Sequence, residues 1–291
     1  LAATASIPED AAGSESTATR ETTLGVDYES IQSGIDAAAE SSDDTVAVAS
    51  PESGDTFTEN VDIDGGVTIE AVDEGVSVKP DGGSEPVFTL QSDATVSGLT
   101  VSESESSNPD TAIEIAGDGA AIEGVTVDGF TTGVEVSGAN AAVRRNALAG
   151  QTTSVDIGTD ATGAAVEYNE FTVDGANTVV DIDATGVQVT ANVLEPDSGT
   201  ADVGIALNEG ARANIRENTI LTRTDDTDTA GIELNTSADF GESLAVRNNF
   251  DGSETAFTGD NGVDIRVVGS DDPNGQFNAT RNWAGGGQPS T

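Results

Sequence analysis

The chain has 291 residues, 53 of them acidic and only 10 basic, with a formal net charge of −43. That balance excludes nucleic acid as a partner, because nothing is present to replace phosphate counterions. The absence of Cys, His and Met removes disulfides, thiolate and imidazole metal ligands, Ser–His triads and Cys or His catalysis. A charge of this size opposes compaction by self-repulsion, yet the regular apolar pattern argues against disorder. The remaining reading is a protein built for molar salt, since at about 1 M ionic strength the Debye length shrinks to roughly 3 Å. No apolar run reaches the roughly 18–20 residues of a membrane span.

Residues 1–22 are rich in Ala, Ser, Thr and Glu and read as a tail, packing either along its own domain or on a neighbouring subunit. Residues 23–291 read as a single domain. The spacing of Tyr28, Ile31, Ile35, Ala38 and Ala39 predicts an amphipathic helix over 27–41, capped by Asp27. Alternating strands follow at Thr45–Ala49, Phe57–Ile63, Val67–Ala71 and Val76–Val78.

From residue 87 a repeat sets in, with two strands predicted per unit. The first is Ile113-Glu114-Ile115, then Val134-Glu135-Val136, Val155-Asp156-Ile157, Val180-Asp181-Ile182, Ile205-Ala206-Leu207, Ile232-Glu233-Leu234 and Val263-Asp264-Ile265. The second is a phrase of an apolar residue, two variable residues and an Asn: Asn146, Asn169, Asn192, Asn218, Asn249 and Asn282. Two earlier copies, Val96-Ser97-Gly98-Leu99 and Ile122-Glu123-Gly124-Val125, carry Gly at what reads as the Asn position. A period in the low twenties with short strands predicts a solenoid. The fold expected is all-β: a right-handed parallel β-helix of roughly ten coils, about 50 Å long at about 4.8 Å per coil. Asn or Gly suits a sharp corner, and stacked Asn side chains can bond between coils. Helix 27–41 serves as the N-terminal cap, and Trp283 with Gly285-Gly286-Gly287 as the C-terminal one.

The opening Tyr28-Glu29-Ser30-Ile31 through Ala38, then Asp44-Thr45-Val46-Ala47-Val48 and Phe57-Thr58-Glu59-Asn60-Val61-Asp62-Ile63, resembles that of the pectin-lyase-like superfamily. Asn278-Ala279-Thr280-Arg281-Asn282-Trp283-Ala284-Gly285 is similar to the ending of many secreted archaeal and bacterial β-helix proteins, with Ala284 in place of a second Trp. The acid-rich composition, with nine Arg but only Lys79, resembles that of haloarchaeal proteins. The resemblance implies the β-helix. It implies no activity, because the fold hosts lyases, esterases, adhesins and viral spikes.

The catalytic signatures of the superfamily's pectinesterases and lyases are missing, so no catalytic residue is assigned. Arg144, Arg216 and Arg247 read as one repeat position, with Glu167 between the first two, forming an outward charge ladder or a contact for an acidic sugar. Acid-rich insertions at 102–110, 195–202, 222–229 and 251–261 leave one corner. The best of them for calcium contains Asp225, Asp226 and Asp228, although no calcium-loop pattern is present and no other cofactor is implied. Asn235 and Asn278 head glycosylation sequons. With Leu1 read as a processed end or a fragment boundary, the expectation is an extracellular or cell-surface halophile protein. Its expected role is structural or adhesive, a filament subunit whose tail contacts a neighbour. Its partners would be its own copies, other surface proteins or glycans. The alternatives are a polysaccharide-binding or polysaccharide-degrading β-helix, and a passive stalk or virus spike.

Overall fold

The computed structural model describes residues 19–21, 27–39, 44–50, 56–103, 109–173, 178–196, 203–221, 230–235, 244–246, 248–251, 263–268, 278–280 and 283–284. Each coil contributes three short strands, not two. The Asn phrase is itself broken by a corner: Ala142–Arg144 ends, Arg145 and Asn146 turn, and Ala147–Ala149 begins. The third strand of that coil is Thr153–Ile157. Equivalent strands of successive coils pair in parallel and in register, forming three sheets. Sheet A runs from Thr45–Val48 to Asn278–Thr280, sheet B from Phe57–Thr58 to Trp283–Ala284, and sheet C from Val61–Ile63 to Val263–Val268. Among the described residues the sheets hold 12, 10 and 9 strands. The architecture is a right-handed parallel β-helix with one short helix, α1 (Ile31–Ala39), near its start.

Register makes the core. In sheet A, Val46, Ile69, Val96, Ile122, Val143, Val166, Val189 and Ile215 stand one above another, and none is more than 1% exposed. Burying each such side chain is worth roughly 1.5–3 kcal/mol. A one-residue slip in any rung would move its whole apolar set to solvent, so the register is strongly specified.

The N-terminal end is closed by three devices. Thr19–Glu21 pairs antiparallel with the first rung of sheet A, Thr45–Val48, and on its other side with Asp27–Tyr28. Part of the expected tail therefore packs on its own first coil, and Asp27 lies in a strand instead of capping α1. The cap is Ser30, whose Oγ accepts from Ser33 N at 3.1 Å. The Glu59 carboxylate of the first coil accepts from Ile31 N at 2.9 Å and Gln32 N at 3.2 Å, satisfying helix N–H groups that have no partner within the helix. At the first rung of sheet C, the Gln32 amide accepts from Asp62 N at 2.9 Å and donates to Asp62 O at 3.1 Å. A side chain thus stands in for the missing strand and blunts the edge. At the other end, Trp283 begins the last described rung of sheet B, opposite Asn249; Gly285–Gly287 lie outside the described residues.

The corner from sheet A to sheet B is the most constrained feature. Register places Gly98 and Gly124 opposite Arg145, one residue before the Asn, and places Leu99 and Val125 at the Asn position itself. The expected alignment of Gly with Asn is therefore corrected by one residue. It is the preceding residue that takes the left-handed conformation: Gly98 and Gly124 at φ 72° and 64°, then Arg145, Tyr168, Ala191 and Glu217 at 55–60°. L-residues resist this geometry by roughly 1–2 kcal/mol each. The buried Asn beside them offsets it. Asn192 Oδ1 accepts from Asn169 N at 2.8 Å and Asn169 Nδ2 at 3.0 Å. Its Nδ2 donates to Val166 O and to Asn218 Oδ1, both at 2.9 Å. The pattern repeats through Asn146, Asn169, Asn192, Asn218 and Asn248, each 0–3% exposed.

The fifth member of this ladder is Asn248, not Asn249. Register sets Ala245 opposite Ile215 and Asn249 opposite Thr219. Ala245, fully buried, fills the apolar slot of the phrase that Val246 was expected to fill, and Asn249 begins the sheet B strand. Asn282 lies outside the described residues.

Replacing Asn192 by Ala leaves several buried amide and carbonyl groups without partners at about 1–3 kcal/mol each, so urea unfolding should show a loss of about 3–5 kcal/mol. Ala191→Gly should raise stability by about 1 kcal/mol by relieving the left-handed corner. A destabilised Gly variant would mean that the corner is not strained.

Candidate functional site

Sheet C carries the most ordered array of polar groups on the surface. Its strands read Thr111-Ala-Ile-Glu114-Ile115, Thr132-Gly-Val-Glu135-Val136, Thr153-Ser-Val-Asp156-Ile157 and Thr178-Val-Val-Asp181-Ile182. The apolar residues turn inward. The Thr and the acid of each strand remain accessible, so four rungs present a Thr column beside a carboxylate column, in register. The carboxylate column extends at its ends through Thr89 to Asp62 and through Ala206 to Glu233. Thr111 Oγ1 donates to Glu135 Oε2 at 3.3 Å, and Asn208 Nδ2 donates to Asp181 Oδ1 at 2.7 Å.

Stacking like charges one rung apart, about 4.8 Å, is unfavourable. The carboxyl groups show it. Asp156 is pushed up to about 6, first because burial strips hydration from its carboxylate and then because Asp181, Glu135 and Asp183 repel its charge. Glu114 is raised for the same leading reason, with Glu135, Glu85 and Asp62 adding repulsion. Asp181 is raised by burial against the lowering hydrogen bond from Asn208. The array supplies hydroxyls and carboxyl groups, with that of Asp156 pushed up to about 6. Its acids are spread one per rung, and no group of three or more acids fit to hold a metal occurs among the described residues.

Sequence reasoning passed over this array while quoting its residues. The signal was the middle residue of the repeated apolar-x-apolar strand, which reads Glu, Glu, Asp, Asp in four successive units. Only parallel register shows that these residues touch the same strip.

Sheet A carries Arg144, Arg212 and Arg216, and Arg266 stands on sheet C opposite Glu233. Arg144 Nε pairs with Glu167 Oε2 at 3.1 Å, and Thr190 and Arg216 continue that column. Val246 stands opposite Arg216 in that column; Arg247 lies outside the described residues. Arg145, at the corner, pairs with Glu123 and lies over the Tyr168 ring, 5.9 Å from its centroid. A groove of about 410 Å³ lies between Thr185–Gln188 and Arg212–Asn214, beside a register shift between Thr185 and Val187. The buried Asn214 Oδ1 and Arg216 Nε make no hydrogen bond among the described residues.

Asp225, Asp226 and Asp228 lie outside the described residues. The strands that precede the acid-rich insertions, ending at Ser102, Pro196, Leu221 and Asp251, are all rungs of sheet B; residues 104–108, 197–202, 222–229 and 252–261 lie outside the described residues. Asn235 ends a sheet C strand opposite Val268, and Asn278 begins a sheet A strand opposite Leu244. No helix among the described residues is long and apolar enough to cross a membrane.

No protein family and no curated protein matches the sequence. Solved structures do match the fold. A tailspike protein of Acinetobacter baumannii bacteriophage Fri1, a capsular polysaccharide depolymerase, superposes with a TM-score of 0.54 at 13% identity, over 82% of this chain and 53% of that one. An alginate lyase from Paenibacillus sp. gives 0.50 at 11% identity, over 81% and 96%. A tailspike protein double mutant of E. coli bacteriophage HK620, in complex with pentasaccharide, gives 0.51 at 12% identity, over 86% and 62%. The chain thus spans about half to two thirds of the length of these two tailspikes. At such identities the likeness establishes the right-handed β-helix and nothing finer.

The folded chain holds the Asp156 proton up to about pH 6, whereas the unfolded chain releases it near 3.8. Between these values the native state binds more protons, so stability falls as pH rises through that window. The melting temperature in low salt should therefore drop between pH 4 and pH 6.5. Asp156→Asn should raise it at pH 7, and molar KCl should shrink that gain by screening. A variant less stable than the parent at pH 7 in low salt would contradict this account of the column.

Proposed function

We propose that this chain is an extracellular or cell-surface adhesive β-helix that binds a polysaccharide along the outer face of sheet C. The observation that carries the reading is the four-rung array of Thr111, Thr132, Thr153 and Thr178 beside Glu114, Glu135, Asp156 and Asp181. Hydroxyls and carboxylates are partners for sugar hydroxyls. A polymer meeting the same pair at each rung gains by multivalency, without any single strong contact. The carboxylates repel polyanions, so the ligand is a neutral polysaccharide. Glycan-binding tailspikes and an alginate lyase built on the same fold support the reading as precedents. The charge of −43 supports work in molar salt, where repulsion along the column is screened.

One observation favours a second, hydrolytic reading. Asp156, with its pKa near 6, sits one rung from Asp181 and Glu135. A proton donor and a carboxylate about 5–5.5 Å apart suit retaining glycoside hydrolysis. The filament reading draws on residues 1–18 for contact with a neighbour, because Thr19–Glu21 is taken up by the chain's own first coil.

Co-sedimentation with insoluble neutral glucans, mannans and xylans in molar KCl tests the binding. The parent chain should sediment, and a Thr153→Val, Asp156→Ala variant should bind at least about tenfold more weakly. Equal sedimentation of the two would remove sheet C as the binding face. Release of reducing ends by the parent but not by Asp156→Asn would establish hydrolysis.

A further inference from the structure

The left-handed corner residues form a column of their own, one per coil: Gly98, Gly124, Arg145, Tyr168, Ala191 and Glu217. Along it the side chains change abruptly in size. Tyr168 is 58% exposed, in a chain whose aromatics make up only 4% of residues. Its ring is not left to wander: the Arg145 guanidinium lies over it and is itself tied to Glu123. Arg145 lies over one face of the ring, and the column continues through Ala191, which supplies only a methyl group, to Glu217, two rungs above the tyrosine. Around the corner on sheet B stands Val193, 40% exposed. Three large apolar side chains are exposed among the described residues, and two of them, Tyr168 and Val193, bracket this one small residue.

We propose that the notch over Ala191 is a binding site for a single neutral pyranose ring, separate from the sheet C face. The apolar side of a sugar stacks on an aromatic ring, and here that ring is pre-positioned by a cation on its opposite side. Holding the platform in place beforehand spares the ligand the cost of ordering it. Val193 extends the apolar wall, and the Glu217 carboxylate at the far edge accepts from a sugar hydroxyl. Beside the ring Arg144 pairs with Glu167 and Arg145 with Glu123. In a chain of net charge −43, an uncharged ligand suits this site better than an anion. Two apolar side chains are far too small a patch for a protein partner, which needs an interface of about 1,200 Å² or more. Two rungs, about 9.6 Å, separate Tyr168 from Glu217, which leaves room for one ring and its hydroxyls.

The test is isothermal titration calorimetry of the full chain in molar KCl with maltohexaose, cellohexaose and mannohexaose, and with polyglutamate as the peptide control. At least one neutral hexasaccharide should bind. Tyr168→Ala should weaken it roughly tenfold or more, and Tyr168→Phe should retain it. Ala191→Gly, which keeps the notch and relaxes the corner, should bind as the parent does, while Ala191→Arg, which fills it, should not. Circular dichroism melts confirm that each variant is folded. Val72→Ala, at the exposed apolar residue that belongs to neither site, should leave this affinity unchanged. The proposal is overturned if none of the hexasaccharides binds, if polyglutamate binds in their place, or if Tyr168→Ala binds as the parent does. Binding lost with Asp156→Ala but kept with Tyr168→Ala would also overturn it, while leaving the sheet C reading intact. Loss with Tyr168→Ala alone supports the notch and leaves the sheet C face to the co-sedimentation test.

Discussion

The buried Asn ladder is the interaction on which the later coils depend. An amide has two donor hydrogens and two acceptor directions, and in Asn169 and Asn192 all are used, with partners in the coils on either side. A buried polar group is tolerated only when it is satisfied in this way. Once it is, the group does more than a methyl could: it ties three successive coils together at their sharpest bend. This explains the unequal chemistry of the corner. Coils without the Asn place Gly98 and Gly124 in the left-handed position and fill the interior with Leu99 and Val125. Coils with it carry Arg145, Tyr168, Ala191 and Glu217 there. The ladder releases the corner from glycine, and side chains can then be displayed along it. The Tyr168–Ala191 notch exists because of that release.

The carboxylate column of sheet C is the opposing case. Nothing in the packing of the coils asks for Glu114, Glu135, Asp156 and Asp181 at one outward position, and their mutual repulsion works against the fold. The same parallel register that stacks Val and Ile favourably inside stacks like charges unfavourably outside. The core supplies the margin that tolerates this, and salt reduces what has to be tolerated. Local cost at a surface position with no structural return is a mark of use, and it directs attention to this face. On sheet A, by contrast, Arg144 meets Glu167 across the rungs, so the two faces of one rod differ in what they can approach.

The order of the coils was legible in the chain from the apolar alternation and the Asn phrase alone, and so were the β-helix and the position of its capping helix. What failed were the details in which two neighbouring residues compete. Val246 and Ala245 are both apolar, so either frame fits the phrase, and only pairing with Ile215 shows that Asn248 is the buried one. Gly98 and Asn146 both favour bends, and so they read as one position although they are one residue apart. Asp27 looks like a helix cap by type, yet Ser30, joined by the distant Glu59, holds that place.

The sequence by itself determined which residues turn inward, because period-two alternation is a local property of each strand. It also determined the class of fold, because a coil of this length cannot bury its apolar face without neighbours. Only the tertiary structure decided which outward residues meet. Contacts between residues 21 to 30 apart depend on coil length and register, and these vary from coil to coil. The carboxylate column, the paired Arg residues and the Tyr168 notch are all made of such contacts. The surface chemistry therefore appeared only when the coils were stacked.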